Sequence, residues 1–386
     1  MITIGALGQE WRAAVTPWGG IRPWDGAHGA LDWYVAAEDR WHVPADEAAV
    51  RQRRVDATAV VETRVKVPDG DVVQRIGSIP DRGGMTLVEF ENASTHPVAI
   101  ALDRRDVYTE RPIADVPIEG IELPSTAFVM PLAHRSTVQV AIAHSGPVSG
   151  RVPGGLPPIG QIARGWRTIV DRASRLVLPD GDPGATSAER VAAMRCELAL
   201  GAMPHGDDDP TGFLLALGEL VRMGERPDPW LPELVDAVES VARDGDAGWV
   251  ATQALGAADR VLLVADERRA RSDLAAMTRD RPVLPRPACS PGGIAEIAWL
   301  DSLLADRTAL LPAGIPEHWL GQSFEAYGIA TGPSSNVSFA VRWHGERPAV
   351  LWEQTGEPLR LVAPSVAPDW STEAAKGESL WPAPAR

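Results

Sequence analysis

Cysteine is almost absent from this chain: Cys196 and Cys289 are the only two among 386 residues. Neither lies in a C-x-x-C motif or beside a histidine cluster, so a disulfide framework and a zinc site have no support and two buried free thiols are expected. Lysine is nearly missing too, with only Lys66 and Lys376, and 37 Lys and Arg face 52 Asp and Glu for a formal charge of −15. Without a clustered basic stripe, that charge repels phosphate backbones and anionic lipid, so neither nucleic acid nor a membrane surface is an expected partner. No apolar run approaches the ~20 residues of a membrane-spanning helix. The opening Met1-Ile2-Thr3-Ile4-Gly5 lacks a basic region and a long apolar core, so a cytoplasmic location is expected. The sequons at Asn92 and Asn336 then carry no glycan. No P-loop, G-x-S-x-G element or dinucleotide fingerprint is present, and no metal or cofactor is expected.

Aromatic usage is lopsided: three Tyr and five Phe accompany 14 Trp. Five of these, Trp11, Trp18, Trp24, Trp33 and Trp41, fall in one opening stretch among glycines and acids. Indole faces beside carboxylates suit the faces and hydroxyls of a sugar. Indole is equally a large core-filling body with one N–H to satisfy. The preference for Arg over Lys resembles that of a GC-rich coding sequence, which would favour Trp without any ligand.

A chain of this length exceeds one ordinary core and implies two or three domains. Residues Ala59, Val61, Thr63, Val65 and Val67 alternate with Thr58, Val60, Glu62, Arg64 and Lys66, a period of two. Pro68-Asp69-Gly70 then turns the chain, and Val72 to Ile76 returns as a second hairpin arm. Further strands are predicted over Met85–Glu91, Val98–Leu102, Ala127–Leu132 and Thr137–Ala143. The Gly/Pro-rich run from Ser145 to Gly160 reads as a linker. After it the period becomes helical. Thr186 with Glu189 fits a capping box, while Asp209-Pro210 opens and Gly224 closes a helix striped by Phe213, Leu214, Leu217, Leu220 and Val221. Further helices are predicted from Leu231 to Val241, from Trp249 to Met277 with a break, and after Ser290-Pro291, giving five or six. Period two returns at Val337, Phe339, Val341 and Trp343, where Trp343 and Trp352 are expected to be structural. Leu359–Ala363 is expected as a third strand, with an irregular tail from Pro364. The fold class is thus α+β and multidomain: an N-terminal antiparallel β-sandwich over 1–145, a linker over 146–164, a central α-helical domain over 165–312, and a C-terminal β-piece and tail over 313–386 containing a small β-meander.

This order of parts resembles the six-hairpin glycosidases, the superfamily of glucoamylase-like and glycogen-debranching-like enzymes. Gly29-Ala30-Leu31-Asp32-Trp33 resembles the G-x-[IL]-D-W element near the start of bacterial glucoamylase-like proteins. The run Val60–Val67 with Asp69-Gly70 is similar to their sandwich strands. The segment Val337–Glu353 resembles the β-piece that follows the helices in glycoside-hydrolase-like proteins of GC-rich bacteria. The middle departs from the pattern. Twelve helices of about 11–12 residues plus loops overfill the span from Gly165 to Leu311, and the paired catalytic Glu in aromatic-rich loops are not recognisable. The resemblance therefore implies a reduced α/α-hairpin domain.

Glycoside hydrolysis requires two carboxylates, one protonated and one ionised. Candidates are Asp207 and Asp208 in His205-Gly206-Asp207-Asp208-Asp209-Pro210, although Asp209 as a helix cap with acids at the positive helix end explains the same run. Glu296 in an apolar helix is a third candidate, since burial would raise its pKa toward that of a general acid. An outward acid on a helix fits equally. Trp249, after Asp244-Gly245-Asp246-Ala247-Gly248, resembles a sugar platform or a packed turn. Trp24, Asp25, His28, Asp32, Trp33 and Trp41 would supply platforms and hydroxyl acceptors, with the ligand site expected between this opening and the helical domain. The expected partner is an oligosaccharide or glycoside. The chain reads as a carbohydrate-active, glycosidase-like protein acting on an α-glycoside through two carboxylates. The alternative is a non-catalytic relative that binds carbohydrate or a partner protein.

Overall fold

Alternating side chains in the first third of the chain form antiparallel sheet, and a change of hydrophobic period near residue 159 marks the switch to helix. The computed structural model describes residues 1–26, 29–113, 117–145, 149–179, 181–243, 248–282 and 284–384. It is a mixed α+β molecule that divides into two compact units, Met1–Arg167 and Thr168–Arg386.

In the first unit, Val61–Val67 pairs with Gly70–Ile79 in the register Val67↔Gly70, so Pro68 and Asp69 form the turn. Asp69 takes a positive φ of 55° there, a conformation Asp tolerates better than most residues. This hairpin sits in a seven-stranded sheet, beside a four-stranded sheet containing Trp33–Ala36 and Val98–Leu102 and a three-stranded sheet at the start of the chain. Residues of all three sheets share one core, including Ile4, Val15, Trp33, Ile76, Phe90 and Ile100. The seven-stranded sheet also carries a cross-strand charge row. Arg53, Glu62, Arg75 and Glu89 lie opposite one another on four successive strands. Glu62 is buried and accepts hydrogen bonds from Arg53 (2.9 Å), Arg64 (3.0 Å) and Arg75 (2.8 Å). Burial alone would raise its carboxyl, but these three guanidinium groups outweigh that and hold it at about 2.

Seven α-helices occur among the described residues: α1 Ile159–Val170, α2 Pro183–Ala199, α3 Pro210–Met223, α4 Leu231–Arg243, α5 Trp249–Val264, α6 Arg268–Thr278 and α7 Ala295–Leu304. Helix α1 begins inside the stretch read from sequence as a linker. The predicted capping box at Thr186 is not used, because α2 starts earlier, with Asp182 at its N-cap and Pro183 in its first turn.

The second unit also holds a five-stranded sheet built on the antiparallel meander Phe324–Ala330, Asn336–His344 and Arg347–Thr355. Two of its members correct the sequence reading. Arg175–Val177, which precedes the helices, pairs with Phe324–Ala330, which follows them. The strand beside Arg347–Thr355 is Lys376–Leu380, from the tail expected to be irregular. Leu361–Ala363 instead pairs with Ala367–Thr372 in a separate four-stranded sheet. The tail is ordered because it delivers Trp370 and Trp381 to the core: Trp352, Trp370 and Trp381 meet edge to face with centroids 5.3 and 5.1 Å apart. No helix among the described residues is long and apolar enough to cross a membrane.

Candidate functional site

Helix α3 organises the site in the second unit. Its start is fixed by Asp209, whose side chain accepts from the Gly212 N–H at 2.8 Å, and by Pro210 behind it. Its end is closed by Gly224 at φ 106°. Between these caps Phe213, Leu214, Leu217 and Val221 pack on Ala251, Ala254, Leu255, Ala258 and Val261 of α5. The helices approach closely at Gly218, where an added Cβ would fall 2.7 Å from that of Ala257.

The same helix carries two buried charges on its other face, Glu219 and Arg222. Arg222 donates to Glu219 at 2.5 Å, to Asp301 of α7 at 3.0 Å, and to the carbonyls of Ala173 and Gly328. Arg195 of α2 donates to the second oxygen of Glu219 at 2.8 Å and to Ser174, whose hydroxyl donates in turn to Asp301 at 2.9 Å. Two arginines and two carboxylates thus neutralise one another out of water, which offsets the cost of burying them. Burial would raise the Glu219 carboxyl, but Arg222 and Arg195 hold it at about 2. It stays ionised and cannot serve as a proton donor near neutrality.

This network forms one wall of a cavity of about 520 Å³. The remaining walls come from α5, α6 and α7, the segment around Arg281, and residues 330–333. Trp249, Thr252, Gln253, Gly256, Asp259 and Arg260 line it from α5, and Asp301 and Ser302 from α7. Asp259 is paired with Arg271 of α6 at 2.7 Å. Arg260 is different. Among the described residues it has no carboxylate within ion-pair distance, and its one hydrogen bond is a long 3.4 Å contact to the Gly332 carbonyl. Burial, and then the like charge of Arg222, lower its guanidinium to about 10. The buried Nε1 of Trp249, Nη1 of Arg281 and Oγ1 of Thr331 also lack hydrogen-bond partners among the described residues.

Of the residues singled out from sequence, Trp249 lines this cavity and is 6% exposed. Glu296 is buried on α7 but bonded to Arg190 and is not among the lining residues. Asp207 and Asp208 are exposed in the turn before α3 and are not part of the lining either. In the first unit Trp33 is 1% exposed, donates to the Trp18 carbonyl at 2.9 Å and packs on Phe90. Asp32 is engaged by Arg22 at 2.7 Å. Trp41 is half-buried and donates to the Glu119 carbonyl at 2.8 Å. Trp24 and Asp25 are exposed. His28, Asp244 and Asp246 lie outside the described residues. Sequence reasoning missed Arg195, Glu219, Arg222, Arg260 and Asp301. The available signal was a charge set where its neighbours are apolar, as in Leu217-Gly218-Glu219-Leu220-Val221-Arg222 and Trp299-Leu300-Asp301.

Comparison with protein-family models finds no match, and comparison with curated protein sequences finds none either.

Proposed function

We propose that this protein binds a carbohydrate in the cavity of the second unit and does not hydrolyse it. The volume of about 520 Å³ lies within the roughly 300–1,000 Å³ range of small-ligand pockets. The lining mixes apolar residues such as Leu215, Leu274 and Ile294 with Thr252, Gln253 and Asp259, which suits a ring with hydroxyls.

One observation carries the non-catalytic reading. Glu219, Asp259 and Asp301 are each committed to arginine, and Glu219 is held ionised at about 2. Asp306 is the remaining acid of the lining, whereas a glycosidase needs two carboxyls in opposite protonation states. The same proposal treats the chain as a reduced relative of the six-hairpin glycosidases, with a sandwich in the first unit and a shortened hairpin domain in the second. The order of strands, helices and strands supports it, as does a count of seven α-helices among the described residues, below the twelve of a full barrel. Cys196 and Cys289 are not joined in a disulfide, which suits the proposed cytoplasmic location; Cys196 is buried as expected, whereas Cys289 is exposed.

The test is an oligosaccharide array probed with wild type and with Gly256→Leu, followed by a reducing-sugar assay on whatever binds. Gly256 lines the cavity from a helix, and an added Cβ there meets nothing within 4 Å. Leucine should therefore intrude on the cavity while improving helix propensity by about 0.5–1 kcal/mol. Binding should be lost with no fall in melting temperature. Unchanged array binding would place the site elsewhere, and release of reducing ends would restore the hydrolase.

A further inference from the structure

We propose that the sugar bound in this cavity carries a negative charge, as a carboxylate or a phosphate, and that Arg260 recognises it. This rests on the carbohydrate-binding reading above and deepens it.

Most charges on or behind the wall are paired. Arg195 and Arg222 are answered by Glu219 and Asp301, and Asp259 is answered by Arg271. Arg260, partly buried, has no carboxylate within ion-pair distance among the described residues; Glu219, Asp301 and Asp259 attract it only at longer range, and Asp306 and Arg307 complete the charged lining. A partly buried guanidinium whose carboxylates act only at longer range, with no ion pair of its own and Arg222 nearby, is costly to fold around, so its place on the cavity wall points to a partner that arrives with the ligand. Its guanidinium is already lowered to about 10 by burial and by Arg222, and an anion would reverse that trend. The fork of five donors matches a carboxylate or phosphate through paired hydrogen bonds.

A second arginine of the lining is incompletely satisfied. Arg281 spends Nη2 on the carbonyls of Val241 and Ala242 at the end of α4, which leaves Nη1 unpartnered among the described residues. The Nε1 of Trp249, a lining residue, is likewise buried and unpartnered among the described residues. Gly256 lies one helical turn before Arg260, and both line the cavity. Helical side chains lean toward the preceding turn, so the missing Cβ at Gly256 leaves room above the arginine stem for a ring.

The experiment is isothermal titration of the full chain with D-glucuronate, D-galacturonate and D-glucose 6-phosphate, against D-glucose, D-galactose and maltose as neutral controls. Wild type, Arg260→Gln and Arg260→Lys are compared. The expected result is at least tenfold tighter binding of one acidic sugar than of its neutral counterpart, weakening as salt is raised. Arg260→Gln should abolish that preference, and Arg260→Lys should retain part of it. A uronate preference identifies the anion as a carboxylate, and a phosphate preference identifies it as a phosphoryl group. Neutral sugars binding as well as acidic ones, or a preference that survives Arg260→Gln, would overturn the charge assignment while leaving the cavity as a sugar site. Failure of all six probes together with a silent array would overturn both. Since the substitution removes a cation next to Arg222, the melting temperature of Arg260→Gln should not fall. If it does, Arg260→Met repeats the comparison with the stem retained.

Discussion

The tryptophans of this chain are not equivalent, and their surroundings separate structural indoles from available ones. Trp381 is 1% exposed and closes the chain of rings that runs through Trp370 to Trp352. Trp381→Ala should cost about 3–5 kcal/mol, read as a lower urea midpoint. Trp24, at 61% exposure, should change stability by less than about 0.5 kcal/mol when replaced by Ala. Equal effects from the two variants would contradict this division. The sequence could not draw it, because Trp33 and Trp24 sit in the same glycine-rich stretch and differ only in what the distant strands Met85–Asn92 and Val98–Leu102 place against them.

At the scale of elements, α3 shows what local sequence does specify. Its cap, its proline and its closing glycine all lie within a few residues of the helix they define, and the expected ends agree with those found. Asp209→Ala should destabilise the protein by about 1 kcal/mol, whereas Asp207→Ala, in the exposed turn, should be close to neutral. A larger loss from Asp207 would show that the acidic run is more than a cap and its neighbours. The hairpin over residues 61–79 was legible for the same reason: its turn and its alternation are contiguous. The strand Arg175–Val177 was not, since its partner lies beyond the whole helical segment. Nor was the arginine–carboxylate network, because a helical pattern shows that Glu219 and Arg222 interrupt an apolar run without showing that Arg195, Ser174 and Asp301 meet them. The cavity inherits that opacity: Trp249 was visible as a candidate, and Arg260, which distinguishes the site, was one arginine among many.

For the whole molecule, the consequence is a pH dependence shared between the two units. Glu62 in the first and Glu219 in the second are each held at about 2, below the ordinary 4.5. A carboxyl lowered in the folded state contributes stability that is present above its ordinary value and lost as pH falls toward the folded one. Urea midpoints should therefore drop steeply between about pH 4.5 and 2. Glu219→Gln should flatten part of that limb and also weaken the protein at neutral pH by about 3–5 kcal/mol, because it leaves Arg195 and Arg222 underpaired in the interior. Glu62→Gln should flatten the limb independently. Parallel acid limbs in wild type and both variants would show that other groups set it.

The pairing of Arg175–Val177 with Phe324–Ala330 also imposes an order in time. During synthesis the early strand emerges well before the strand that completes it, and six helices must be made in between. Closing so long a loop makes this sheet a late and comparatively slow event. A chain halted at residue 323 would hold its helices beside a strand with no neighbour on that edge, so assembly of the second unit is gated by its last-made third.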